Sequence, residues 1–166
     1  MPTPDWDHAD YLYHRILHWF YERGRKAAAL PFVEPLEQLL DRLGDQHEPI
    51  LAAGARSVIA EIRGDLPAAV EGRRREIELI EQVMLRRNRE FGVILPEEIS
   101  DRQEILARLL WQHGDRTGAL QVLEQSREYC RRRNIPFAGE FLETRIQNEI
   151  SGRGAKRRSK SGPTAI

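Results

Sequence analysis

Cysteine is nearly absent. Cys130 is the only one in 166 residues, which excludes an internal disulfide framework and any cysteine-based zinc cluster, and fits a reducing compartment. Long apolar runs are missing too: the charge-free stretch Ala27 to Val33 falls far short of the roughly 20 apolar residues that span a bilayer, so no membrane span is expected. The opening MPTPDWDHAD is acidic and carries no apolar run, so no secretory signal is expected and the expected location is cytoplasmic. No glycine-rich phosphate loop, GxSxG elbow, HExxH or CxxC occurs in the sequence. Without these the common signatures of enzymes are gone, and neither a catalytic activity nor a cofactor is expected.

What remains is charge and helix-forming pattern. Apolar residues make up 40% of the chain and charged residues 31%, with a mean hydropathy of -0.58, which suits one domain, or one compact array of small repeats, with strongly solvated faces. The formal net charge of zero is unevenly spread. Residues 1–150 hold 21 basic and 26 acidic side chains, whereas 151–166, SGRGAKRRSKSGPTAI, hold five basic residues and no acid. A Ser, Gly, Lys and Arg segment has too little apolar surface to offset the entropy of ordering it. The expected division is therefore a helical body, 1–150, and a disordered basic tail, 151–166.

Apolar residues recur at helical spacing and almost nowhere alternate with period two, so the expected class is all-α. Ile105, Leu106, Leu109 and Leu110 share one helix face, and Val70, Ile77, Ile80 and Met84 share another. The run FGVIL (91–95) is the best strand candidate, but it is short, lacks a partner run and is closed by Pro96, so it is read as a loop. Gly24, Gly44, Gly64, Gly92 and Gly114 stand where helical patterns stop. Seven helices follow, near 6–23, 26–43, 47–63, 66–90, 98–113, 116–133 and 137–150. Asp65 and Asp115 are placed to cap the helices after their glycines, and Ser100 with Gln103 reads as a capping box.

A repeat runs through the body. RGDLPAAVEGRRREIELIEQV (63–83) aligns with HGDRTGALQVLEQSREYCRRR (113–133), each having Gly-Asp and then Ala five residues after the Gly, and RGRKAAALPFVEPLEQLL (23–40) keeps the same spacing between Gly24 and Ala29. The Gly turns the chain between antiparallel helices, and the Ala allows the second helix to approach the first closely. With these residues the chain resembles the tetratricopeptide-repeat family, whose helical hairpins stack into an α-solenoid. Matched on Gly24, the family's large packing positions fall on Tyr13, Ile16, Leu17 and Phe20; matched on Gly114 they fall on Gln103, Leu106, Ala107 and Leu110. The middle unit departs from the pattern, with Ala53, Arg56, Ser57 and Ala60. The glycine spacings of 40 and 50 residues also exceed the family's period of about 34. An unrelated helical bundle joined by Gly turns is the alternative, because that turn chemistry is common to αα-hairpins.

The resemblance implies a function and a surface. It implies a non-enzymatic adaptor or scaffold that holds a partner peptide or helix in a concave groove. Tyr11, His14, His18, Tyr21 and Glu22 would line it from the first unit, and Asp101, Glu104, Arg108, Trp111 and Gln112 from the third. The middle unit offers Leu51, Gly54, Val58, Glu61 and Ile62, which is either an apolar groove floor or a different register. A second reading is a nucleic-acid-associated protein that uses the basic tail and Arg-rich helices; the acidic body disfavours a folded phosphate-binding surface and leaves only weak polyanion contact through the tail. Asp10, His14, His18 and Glu22 repeat at i,i+4 along the first helix. One stripe cannot wrap four ligands around a single ion, so it is read as polar lining and no metal is expected.

Overall fold

The computed structural model describes residues 4–90 and 97–158, with side chains over 5–86 and 97–152. The described residues form seven α-helices and no strand: α1 (Pro4–Leu17), running on as a π-helical turn (His18–Glu22), α2 (Lys26–Leu43), α3 (Pro49–Arg63), α4 (Leu66–Glu90), α5 (Glu97–Gln112), α6 (Arg116–Arg133) and α7 (Glu140–Arg158). The fold is all-α, as the periodicity requires. No helix among the described residues is long and apolar enough to cross a membrane. The run FGVIL lies outside the described residues. The last helix continues past residue 150 to Arg158, while 159–166, the rest of the segment read as a tail, is also outside them.

The chain divides into two compact units, Met1–Leu95 and Pro96–Ile166. In the first, α1, α2 and α3 share a core that includes Trp6, Leu12, Ile16, Leu36, Leu40 and Ile62. Pro31 and Pro35 sit inside α2 without ending it. Both are exposed, and each costs the helix one backbone hydrogen bond, to the carbonyls of Ala27 and Pro31. In the second unit α5 and α6 form a hairpin, and α7 adds Leu142 and Ile146 to the buried set.

The repeated glycine and alanine explain the hairpins. Gly24, Gly64 and Gly114 lie at φ of 62°, 82° and 93°, a region that costs L side chains energy and glycine almost nothing. Five residues after each, Ala29, Ala69 and Ala119 are fully buried. Asp115 accepts from the Gly118 amide at 2.8 Å and Asp65 from the Ala68 amide at 3.2 Å, so both caps form. The capping box at Ser100 does not. The helix α5 begins at Glu97, three residues earlier, and Ser100 is a buried residue of its second turn, where its Oγ lies 3.2 Å from Cys130 Sγ and 3.4 Å from Ser126 Oγ.

Small residues also shape the middle hairpin. A Cβ added to Gly72 on α4 would stand 3.0 Å from Ser57 Cβ and 3.1 Å from Ser57 Cα. These two helices pack at backbone distance, so large side chains at this part of α3 would push them apart. The Ser57 hydroxyl is satisfied at the contact by donating to the Ala69 carbonyl at 2.7 Å.

Candidate functional site

In the first unit the sequence-derived groove residues divide between surface and interior. Tyr11, His14 and Glu22 are exposed, with Tyr11 at 56%. The His14 Nδ1 donates to the Asp10 carbonyl at 2.9 Å, and the His18 Nδ1 donates to Glu22 Oε2 at 2.7 Å. Each imidazole therefore spends one nitrogen on its own helix, and no group of three His, Cys, Asp or Glu among the described residues is arranged to hold a metal ion. From the middle unit Gly54, Val58, Glu61 and Ile62 are buried, so of the two readings left open for this stretch they do not form a groove floor: its apolar character serves the core.

Tyr21 belongs to a buried polar cluster that sequence reasoning missed. The π-helical turn is closed by the Arg23 amide donating to the His18 carbonyl at 3.0 Å, and the Tyr21 hydroxyl donates to Glu61 on α3. Arg73 on α4 donates to Glu76, both being 1% exposed, and its Nη2 lies 3.5 Å from the Tyr21 hydroxyl. Burial opposes the charge on Arg73, but the facing Glu76 carboxylate, with Tyr21 and Tyr13, raises its pKa above the ordinary arginine value. A Cβ at Gly54 would come within 2.6 Å of Glu76 Oε1 and 2.7 Å of the Tyr13 hydroxyl, so α3 must carry glycine there for the cluster to close. The sequence held one signal. Arg73 falls on the stripe of Val70, Ile77 and Ile80, a core position on a helix where other arginines face solvent.

A surface cleft of about 400 Å3 opens elsewhere on this unit, lined by residues that include Asp45, Pro49, Ala53, Arg56, Glu71 and Arg75. Its charges are largely engaged: Arg56 bonds Asp45 at 3.1 Å and Asp41 at 3.3 Å, and Arg75 lies 3.4 Å from Glu78.

In the second unit Arg108 and Trp111 are half-buried and Gln112 is exposed. The Trp111 Nε1 donates to Glu149 Oε2 at 3.1 Å, and Arg116 holds the same oxygen through Nε and Nη2, each at 3.2 Å. The Arg145 guanidinium on α7 lies over Trp111, 5.0 Å from the ring centroid, and 5.9 Å from that of Phe141. Trp111 is thus both a packing residue for α7 and part of an aromatic surface. Along α5, Glu104 is half-buried. Desolvation and the neighbouring Asp101 push its carboxyl above the usual range, and Arg108 offsets this only in part.

No protein-family model, curated protein or solved structure matches the chain.

Proposed function

We propose that the chain is a non-enzymatic interaction module of helical hairpins, similar to tetratricopeptide repeats, that holds a peptide or helix of a partner protein. The observation that carries this reading is the turn geometry repeated three times, a glycine at positive φ followed five residues later by a fully buried alanine. Such hairpins bury one side of the first helix in stacking and turn its other side outward. Tyr11, His14, His18 and Glu22 supply the contact in the first unit, Tyr21 adding only the part of its ring that the Glu61 cluster leaves exposed, and Arg108, Trp111 and Gln112 supply it in the second. Aromatic and arginine side chains combine large contact area with directional polar groups, which is what recognition of a peptide needs.

The test is affinity capture from a cell extract with three proteins: wild type, a Tyr11→Ala/His14→Ala variant and an Arg108→Ala/Trp111→Ala variant. Circular dichroism checks that the variants keep their helix content. A partner taken by wild type and lost by either folded variant supports the reading. The same partner set on all three removes these faces as the binding surface.

A further inference from the structure

Phe141 is 74% exposed, the most exposed of the large apolar side chains among the described residues, and it stands one helical turn before Arg145 on α7. Arg145 in turn lies over Trp111. The Trp111 ring is not free to swing, because Glu149 takes its Nε1–H and Arg116 holds Glu149. A guanidinium stacked on aromatic faces keeps its N–H edge outward, where it meets planar acceptors in a bidentate fork. Arg145 forms no ion pair with a carboxylate among the described residues, and Glu149, one turn further on, is directed to Arg116 and Trp111. The surface therefore presents a positioned cation beside an uncovered aromatic ring.

From this geometry we propose that the Phe141–Arg145–Trp111 stack is a docking platform for an acidic peptide segment of a partner protein. An internal Glu or Asp side chain meets the edge of Arg145, and a neighbouring apolar side chain lies on Phe141. Charge complementarity selects the occupant. Residues 97–166 carry ten carboxylates against thirteen basic side chains, a positive balance that draws an anionic segment; a short segment with one or two carboxylates beside an apolar side chain meets both Arg145 and Phe141, whereas a polyanion finds its cations in the basic cluster from Arg153 onward. The inference rests on the interaction-module reading and adds to it the chemistry of the bound segment.

The test follows the indole N–H signals of Trp6, Trp19 and Trp111 in the 15N-labelled full chain, with the Trp111 signal assigned by Trp111→Phe. The probe is a short peptide with Glu and Phe in a Ser/Gly background, acetylated and amidated so that no terminal carboxylate is present. Its Gln-for-Glu twin, inorganic phosphate and a single-stranded oligonucleotide are titrated in parallel. The expected result is a saturable shift of the Trp111 signal with the Glu peptide, weakened roughly tenfold or more by the Gln twin and by Arg145→Gln, and several-fold by Phe141→Ala. Equal binding of the Gln twin, equal binding by Arg145→Gln, or no saturation up to about 1 mM peptide overturns the proposal. So does a stronger response to phosphate or the oligonucleotide. Capture of a partner that is lost with Arg108→Ala/Trp111→Ala, alongside no response to the Glu peptide, overturns this inference alone and leaves the module reading standing.

Discussion

Arg73 occupies a place on α4 that Val70, Ile77 and Ile80 around it fill with buried apolar side chains. Its charge is tolerated there because Glu76, Tyr13 and Tyr21 surround it, and a buried pair of this kind is far more costly to break than to replace. Arg73→Met is expected to cost about 3–5 kcal/mol in urea denaturation, since it leaves Glu76 charged and buried. Replacing both, Arg73→Met with Glu76→Leu, should return most of that loss, a non-additivity that a double-mutant cycle measures. Glu104 gives the opposite case of a charge without adequate compensation. Its folded-state pKa is raised by burial and by Asp101, so the folded protein holds this proton more tightly than the unfolded chain does. The stability it contributes is complete below the unfolded carboxylate range and is lost as pH rises through the folded pKa. Glu104→Gln should therefore raise the thermal midpoint near pH 7 and leave it nearly unchanged near pH 3, where both states are protonated.

At the scale of elements, turn chemistry made the helices legible. Gly24, Gly44, Gly64 and Gly114 end helical patterns in the sequence and adopt positive φ in the fold, so helix number and order follow from local signals that need no tertiary information. A cap at Ser100 conflicts with a helix that begins near residue 98, and the acidic pair Glu97 and Glu98 in the first turn of α5 decides for the earlier start. The buried cluster was harder to read for a different reason. It joins Tyr21, Glu61 and Arg73, residues up to 52 positions apart, and no local spacing reports such a contact. The recurring alanine predicts close packing, and Ala119→Leu should overpack the α5–α6 contact and cost roughly 1–3 kcal/mol, seen as a lower denaturation midpoint. Gly72→Ala tests the middle hairpin in the same way. Inside a helix this exchange ordinarily gains up to about 1 kcal/mol. Here the new Cβ would meet Ser57 backbone at 3.1 Å, so a net loss is expected, and a gain in midpoint would mean that α3 and α4 can separate without penalty.

Across the whole molecule the charges are sorted along the chain rather than mixed. Residues 1–150 carry five more acids than bases, and the five basic residues that balance them, Arg153, Lys156, Arg157, Arg158 and Lys160, stand together near the end. A neutral protein with this arrangement can still attract a polyanion, but only through the segment where the positive charge is concentrated. Neutralising phosphates releases condensed counterions, and five cations release at most about five, so affinity for duplex DNA should fall with salt at a log-log slope no steeper than roughly -4.5. Fluorescence anisotropy of a labelled duplex across a sodium chloride series measures that slope. Replacing the five basic residues with Gln keeps the chain length, and with it the last turns of α7, while removing the charge. Binding should then disappear. If it persisted, or if the wild-type slope were steeper than five cations allow, the phosphate contacts would have to come from arginines of the helical body, and the acidic excess of residues 1–150 would not be what keeps that surface from nucleic acid.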